Sequence, residues 1–204
     1  MKQNNCKIIG ITGGIATGKS TVSNILLKRG YPLIDADKVA REVVEIGKPA
    51  YFKIIQEFGQ GILNEDKSLN RKMLGKIIFS DEEARKKLNN ITHPYIFESI
   101  KEKLELLSKG NPVVFLDIPL LFEEYYSLIQ HGINFDEIWL VYADKEIQVD
   151  RLMKRDNISK DEAVKKIQSQ MDMEEKKKMA TRIIDNSGDI KSLEEQIDII
   201  LESI

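Results

Sequence analysis

Lys7-Ile-Ile-Gly-Ile-Thr12-Gly13-Gly14-Ile15-Ala16-Thr17-Gly18-Lys19-Ser20-Thr21 is the stretch on which the reading of this chain turns. Its first half is a short apolar run that stops at glycines, the pattern of a buried strand. Its second half places Gly13 and Gly18 around four residues and follows them with Lys-Ser. Ser20 to Arg29 then carries apolar residues at Val22, Ile25, Leu26 and Leu27 and closes at Gly30, so it reads as a helix. Strand, glycine turn and helix in that order make a loop whose backbone N–H groups point inward. With the positive end of the following helix, those donors suit a polyphosphate. Lys19 reaches the terminal phosphates in such a loop, and the Ser20 hydroxyl joins a Mg²⁺ shell, because Mg²⁺ takes oxygen ligands. The loop from Gly13 to Thr21 is therefore the expected ATP site.

Outward from this loop, apolar runs alternate with helical patterns. Pro32 to Asp35, Val113 to Asp117, Glu137 to Tyr142 and a run beginning at Ile183-Ile184 read as further strands. Such alternation predicts an α/β fold with a parallel sheet covered on both faces. From Lys48 to Lys109 the patterns are helical only: Pro49–Phe58, Asn70–Phe79 and Asp81–Leu107, the last expected to break or kink at Pro94. This stretch reads as an insertion between strands. Asp144–Arg155 and Ser159–Met173 are charged helices, Glu174–Lys178 a solvated charge run, and Ser192–Ile204 a closing helix. The expected organisation is one domain. Its core takes residues 1–47, 110–143 and 180–204, the insertion 48–109 and a lid 144–179.

Bulk composition narrows the class. The 204 residues carry a net charge of −2, so no global basic field recruits nucleic acid or an anionic membrane. No apolar stretch has the length of a signal peptide core or a bilayer span, and the expected compartment is the cytoplasm. Cys6 is the single cysteine and reads as a small hydrophobe, in keeping with a reducing compartment.

A phosphate-binding loop settles nucleotide binding but not chemistry. The guanine-reading Asn-Lys-x-Asp of GTPase switches is absent from the sequence. Between Arg151 and Arg182 ten Lys/Arg face six Asp/Glu, a surplus of four positive charges. Arg151 and Arg155 lie four apart and share a helix face. Such a lid brings arginines to a transferring phosphoryl group and excludes water. The reading is an ATP-dependent small-molecule kinase. Kinases of the nucleoside monophosphate or shikimate type, and a non-catalytic nucleotide-binding regulator, are the competing readings.

Several segments resemble the dephospho-coenzyme A kinase family, in order and over nearly the whole chain. They are Thr12 to Thr21, Ile34-Asp-Ala-Asp37 with Ala40-Arg41, Thr92-His-Pro-Tyr-Ile96, and Leu116-Asp-Ile-Pro-Leu-Leu-Phe-Glu123. Phe135 through Arg155 and Ile184-Asp-Asn-Ser-Gly188 complete the set. The resemblance implies a P-loop kinase fold of three layers, α/β/α, on a five-stranded parallel sheet, with a helical substrate-binding insertion and a helical lid. It implies transfer of the γ-phosphoryl of ATP to the ribose 3′-hydroxyl of dephospho-coenzyme A. Asp35, at the end of the second strand, would meet the attacking hydroxyl, and as a residue before a helix it would also serve as an N-cap. Lys19, Arg151 and Arg155 would act on the phosphoryl group. Asp37, Arg41, His93, Asp117 and Leu120 would face the acceptor. Asp117 also resembles a carboxylate that holds a Mg²⁺ shell through water. Asn186 would lie near adenine, or support the turn at Gly188. A monomer or weak homo-oligomer is expected.

Two segments depart from the family pattern, which often reads Gly-Gly-Ile-Gly-Ser-Gly in the loop, where Ala16 and Thr17 here occupy the middle. Ala16 resists positive φ, a conformation that not every loop position requires. Phe97 stands where an arginine often follows His-Pro-x-Ile, so a substrate contact from it is not expected.

Overall fold

The computed structural model describes residues 6–204. Five strands, β1 (Lys7–Gly13), β2 (Leu33–Asp35), β3 (Val113–Asp117), β4 (Glu137–Tyr142) and β5 (Arg182–Asp185), form one parallel sheet in the order β2-β3-β1-β4-β5. In β1, Ile9 faces Phe115 of β3 and Glu137 of β4. β3 is buried along its whole length and β1 from Ile9 onward, as a parallel sheet covered by helices requires.

The helices are α1 (Lys19–Lys28), α2 (Ala36–Glu42), α3 (Pro49–Phe58), α4 (Arg71–Ser80), α5 (Glu82–Ser108), α6 (Tyr125–Gln130), α7 (Lys145–Asp156), α8 (Lys160–Gln168), α9 (Met173–Met179) and α10 (Ile190–Leu201). The chain divides into two compact units, Met1–Ile34 with Leu107–Ile204, and Asp35–Leu106.

In the first unit, Ile9, Ile11, Phe115, Trp139, Val141 and Ile184 pack with Val22, Ile25 and Leu26 of α1 and Leu193 and Ile197 of α10. Phe115 and Trp139 meet edge to face at 5.1 Å. Gly10 points to the opposite face, where a Cβ would stand 2.6 Å from Leu121 and 2.9 Å from Phe135. That glycine lets the segment after β3 close against the sheet.

The second unit has its own core of Val44, Ala50, Tyr51, Ile54, Ile62, Leu69 and Leu74, flanked by Leu88, Ile91 and Tyr95 of α5. Among its described residues no strand forms, only a bridge between Leu63 and Leu69. It begins at Asp35, and α5 runs through Pro94 as a single helix of 27 residues, so the expected break does not occur. The helix is held on both sides of the proline by buried Ala84, Thr92, Phe97, Ile100 and Leu104.

Two further expectations change. The helix expected to run to Met173 stops at Gln168, because Asp172 caps a new helix by accepting from the Glu174 N–H at 2.8 Å. The charge run Glu174–Lys178 is the body of α9 and is not wholly solvated. Lys176 is fully buried, with its ammonium 2.8 Å from a carboxylate oxygen of Glu123.

Candidate active site

The turn between β1 and α1 is built by glycines at the two points where a side chain has no room. A Cβ on Gly13 would come within 2.6 Å of the Thr17 hydroxyl and 2.9 Å of the Val141 carbonyl oxygen. Gly18 has φ 89°, and a Cβ there would fall 2.0 Å from the Asn186 amide nitrogen. Thr17 is fully buried, and its hydroxyl donates to the Gly14 carbonyl at 3.0 Å. The α1 helix opens at Gly18 with no side-chain cap and no acidic residue in its first turn. Its N-terminal end therefore keeps the positive field that attracts phosphate.

Ala16 has φ 60°, so the left-handed conformation is required there after all. A residue with a Cβ holds it only where the surroundings enforce it. Ile15 and Ala16 pack against the small hydrophobic cluster of α7 and α8, formed by Val149, Leu152 and Ala163. The Ile15 N–H donates to the Gln170 side-chain oxygen at 2.9 Å.

Asp117, at the end of β3, is buried and doubly engaged. One oxygen pairs with the Lys19 ammonium, and the other accepts from the Ser23 hydroxyl at 2.6 Å. Ser23 follows Lys19 by one helical turn, so α1 supplies both partners from one face. Ser20 is exposed at the mouth of the loop. Leu120, after β3, is 41% exposed.

Arg151 and Asn186 converge on the loop from α7 and from the end of β5. The Asn186 amide donates to the Thr17 carbonyl at 2.8 Å. Arg151 donates to the same carbonyl at 3.4 Å and to the Asn186 carbonyl at 2.9 Å. Both side chains therefore support the loop from outside. Arg155, one turn further, behaves differently. It is 61% exposed and donates to Asp156 at 2.8 Å. Lys166 also donates to Asp156, at 3.0 Å. These two cations hold the Asp156 carboxyl down at about 2, Arg155 contributing most.

Beside the loop lies a cavity of about 340 Å³, lined by Gly14, Tyr142, Gln148, Met171 and Met173 among others. Gln148 is buried; its amide donates to the Ala143 carbonyl at 2.8 Å, which leaves its side-chain oxygen without a protein donor.

In the second unit, Asp35 ends β2 and caps α2, accepting from the Lys38 N–H at 3.1 Å through one carboxylate oxygen. Asp37 and Arg41 are exposed along α2. His93 lies edge-on to Phe97 at 5.4 Å, and Phe97 is buried, so the departure from arginine is filled by packing.

Ser23, Gln170 and Lys176 are residues that sequence reasoning missed. Ser23 had a signal, its spacing from Lys19. The other two had none, because each meets its partner across a long stretch of chain. Among the described residues no cluster of His, Cys, Asp and Glu forms a metal site, and no helix is long and apolar enough to cross a membrane.

A parallel sheet of this order, a Gly-x-x-x-x-Gly-Lys-Ser loop and an arginine of α7 braced on it define a P-loop kinase. A family model described as dephospho-CoA kinase matches residues 7–192. The dephospho-CoA kinase of Carboxydothermus hydrogenoformans is 51% identical over 197 residues, 96% of this chain and 93% of that one. The crystal structure of TT1252 from Thermus thermophilus superimposes with a TM-score of 0.78 at 34% identity, covering 97% of each chain. Dephospho-CoA kinase from Campylobacter jejuni does so with a TM-score of 0.72, at the same identity and coverage. This chain belongs to the dephospho-CoA kinase family.

Proposed function

We propose that the chain transfers the γ-phosphoryl group of ATP to the ribose 3′-hydroxyl of dephospho-coenzyme A, giving coenzyme A and ADP, the last step of coenzyme A synthesis. Family membership over residues 7–192 carries this reading, and the phosphate cradle supplies its chemistry.

The loop from Gly13 to Thr21 holds the ATP phosphates through those of its N–H groups that neither its own turns nor Gln170 engage. Lys19 leaves Asp117 to meet the terminal phosphates, or shares itself between them. Asn186 and Arg151 hold the loop in shape through the Thr17 carbonyl, and Arg151 and Arg155 offset charge that develops on the transferring group. Arg155 does so after exchanging Asp156 for phosphate oxygen.

Asp35 orients the attacking hydroxyl. Phosphoryl transfer is largely dissociative, so the proton leaves late, and a carboxylate of ordinary basicity suffices to accept it. The bond from the terminal phosphorus to the bridging oxygen of ADP breaks as the bond to the ribose oxygen forms. The hydroxyl proton passes to Asp35. One oxygen of Asp35 caps α2, which orients the other.

Asp37, Arg41 and His93 take the acceptor, Arg41 through its planar fork. Asp117 and Leu120 border it. The helices of residues 48–109 form the substrate-binding insertion, and residues 144–179 the lid. Mg²⁺ fits the oxygen donors present: the Ser20 hydroxyl would hold it, with Asp117 through water. Bound there, it neutralises phosphate charge. The chain acts in the cytoplasm, as a monomer or weak homo-oligomer, without nucleic acid or membrane.

A coupled ADP-release assay with Mg-ATP tests the reading. ADP formation dependent on dephospho-coenzyme A is expected. Folded protein that turns over only with shikimate or a nucleoside monophosphate, or with no acceptor at all, overturns it.

A further inference from the structure

We infer that Gln170 is a positioning residue that holds the ATP loop in its strained shape from the lid side. The inference rests on the reading that this loop binds ATP. Ala16 stands at φ 60°, which a residue with a Cβ adopts only under constraint. Within the loop, the Thr17 N–H and hydroxyl both donate to the Gly14 carbonyl and close a turn over residues 15 and 16. A second constraint comes from residues more than a hundred positions later. The Gln170 side-chain oxygen accepts the N–H of Ile15 at 2.9 Å, on the Gly14–Ile15 peptide, one peptide before Ala16. Met173 stands close over Gly14, with its sulfur 2.9 Å from where a Cβ would sit. Ile15 and Ala16 pack on the cluster of Val149, Leu152 and Ala163.

Gln170 is itself anchored by its neighbours. Glu123 accepts from the Met171 N–H at 3.3 Å and pairs with buried Lys176 at 2.8 Å. The turn between α8 and α9 is thus tied at one point to the segment after β3 and at another to the phosphate loop. It transmits the position of the lid to the backbone that receives phosphate.

This arrangement makes a coupling prediction that a merely structural contact does not. A glycine at residue 16 adopts positive φ without penalty. With Ala16→Gly in place, the Gln170 contact has little left to enforce. The full chain carries the test, with Mg-ATP as the titrant. Gln170→Ala is expected to weaken ATP binding about fivefold, and the same change in the Ala16→Gly background less than twofold. Gln170→Met, which keeps the volume and removes the acceptor, serves if Gln170→Ala does not fold.

Amide exchange at Ile15, measured without ATP, is expected to be at least about fivefold faster in either variant, as the loss of one hydrogen bond implies. Equal losses of ATP affinity in both backgrounds, no loss in either, or unchanged Ile15 exchange overturns the inference. A wild-type chain that binds no Mg-ATP while Ile15 exchange responds as stated overturns the ATP reading and leaves the clamp standing.

Discussion

Two residues of the phosphate loop take left-handed backbone, and they do so under opposite conditions. Gly18 needs the absence of a side chain twice over, for its φ of 89° and for the Asn186 amide that occupies the space of its Cβ. Gly18→Ala is expected to displace Asn186 and to weaken ATP binding more than about tenfold, read by titration calorimetry, since lost hydrogen bonds and strain add. Ala16 carries a Cβ into the same region of conformation at a cost of about 1–2 kcal/mol. Ala16→Gly removes that cost but frees the unfolded chain, so a net stabilisation of about 0.5–1 kcal/mol is expected in urea unfolding. At the end of β3, Asp117 is a buried partner of Lys19 and Ser23, and its two oxygens tie that strand end to the first turn of α1.

Helices α7 to α9 show how charge is used at different depths. Asp156 joins α7 to α8 by pairing with Arg155 and Lys166 at the surface, and its carboxyl is held at about 2, below its ordinary 3.8. A depressed carboxyl adds stability above its unfolded value and loses it as pH falls through the folded one. The melting temperature of Asp156→Asn is therefore expected to lie below that of wild type at neutral pH, with the gap narrowing from about pH 4 toward pH 2. Lys176 stands at the other extreme, fully buried against Glu123. Lys176→Ala leaves a cavity and an unpaired carboxylate and is expected to cost roughly 3 kcal/mol in urea unfolding. Glu123→Gln with Lys176→Met is expected to recover most of that loss, because no charge is then left buried.

At the scale of the whole molecule, the proposed reaction rests on Asp35 as well as on the phosphate loop. Asn caps a helix as well as Asp does, so Asp35→Asn is expected to keep α2 intact. Steady-state ADP release should show kcat falling far more than KM rises, the mark of a group that acts mainly in the transition state. An unchanged kcat in the folded variant would refute the role.

How far the sequence speaks can be followed through particular elements. The strand before Gly13 and the helix after Lys19 were legible, because apolar periodicity and glycine punctuation are local signals. So were the other four strands and the helical stretch between β2 and β3, and with them the parallel α/β class. Of the break or kink expected at Pro94, the break does not form, because the buried face of α5 outweighs one missing hydrogen bond. The ends of α8 and α9 misled, because Asp172 caps a helix inside what reads as one charged run. The sequence by itself determined the order of the five strands and the spacing of the Gly-x-x-x-x-Gly-Lys-Ser loop, since apolar runs and motif spacing are written along the chain. Only the tertiary structure decided that Ala16 is strained, that Gln170 and Asn186 brace the loop, and that Lys176 is buried. Each of these depends on partners brought together from distant positions, and burial and backbone strain are properties of that meeting rather than of residue type.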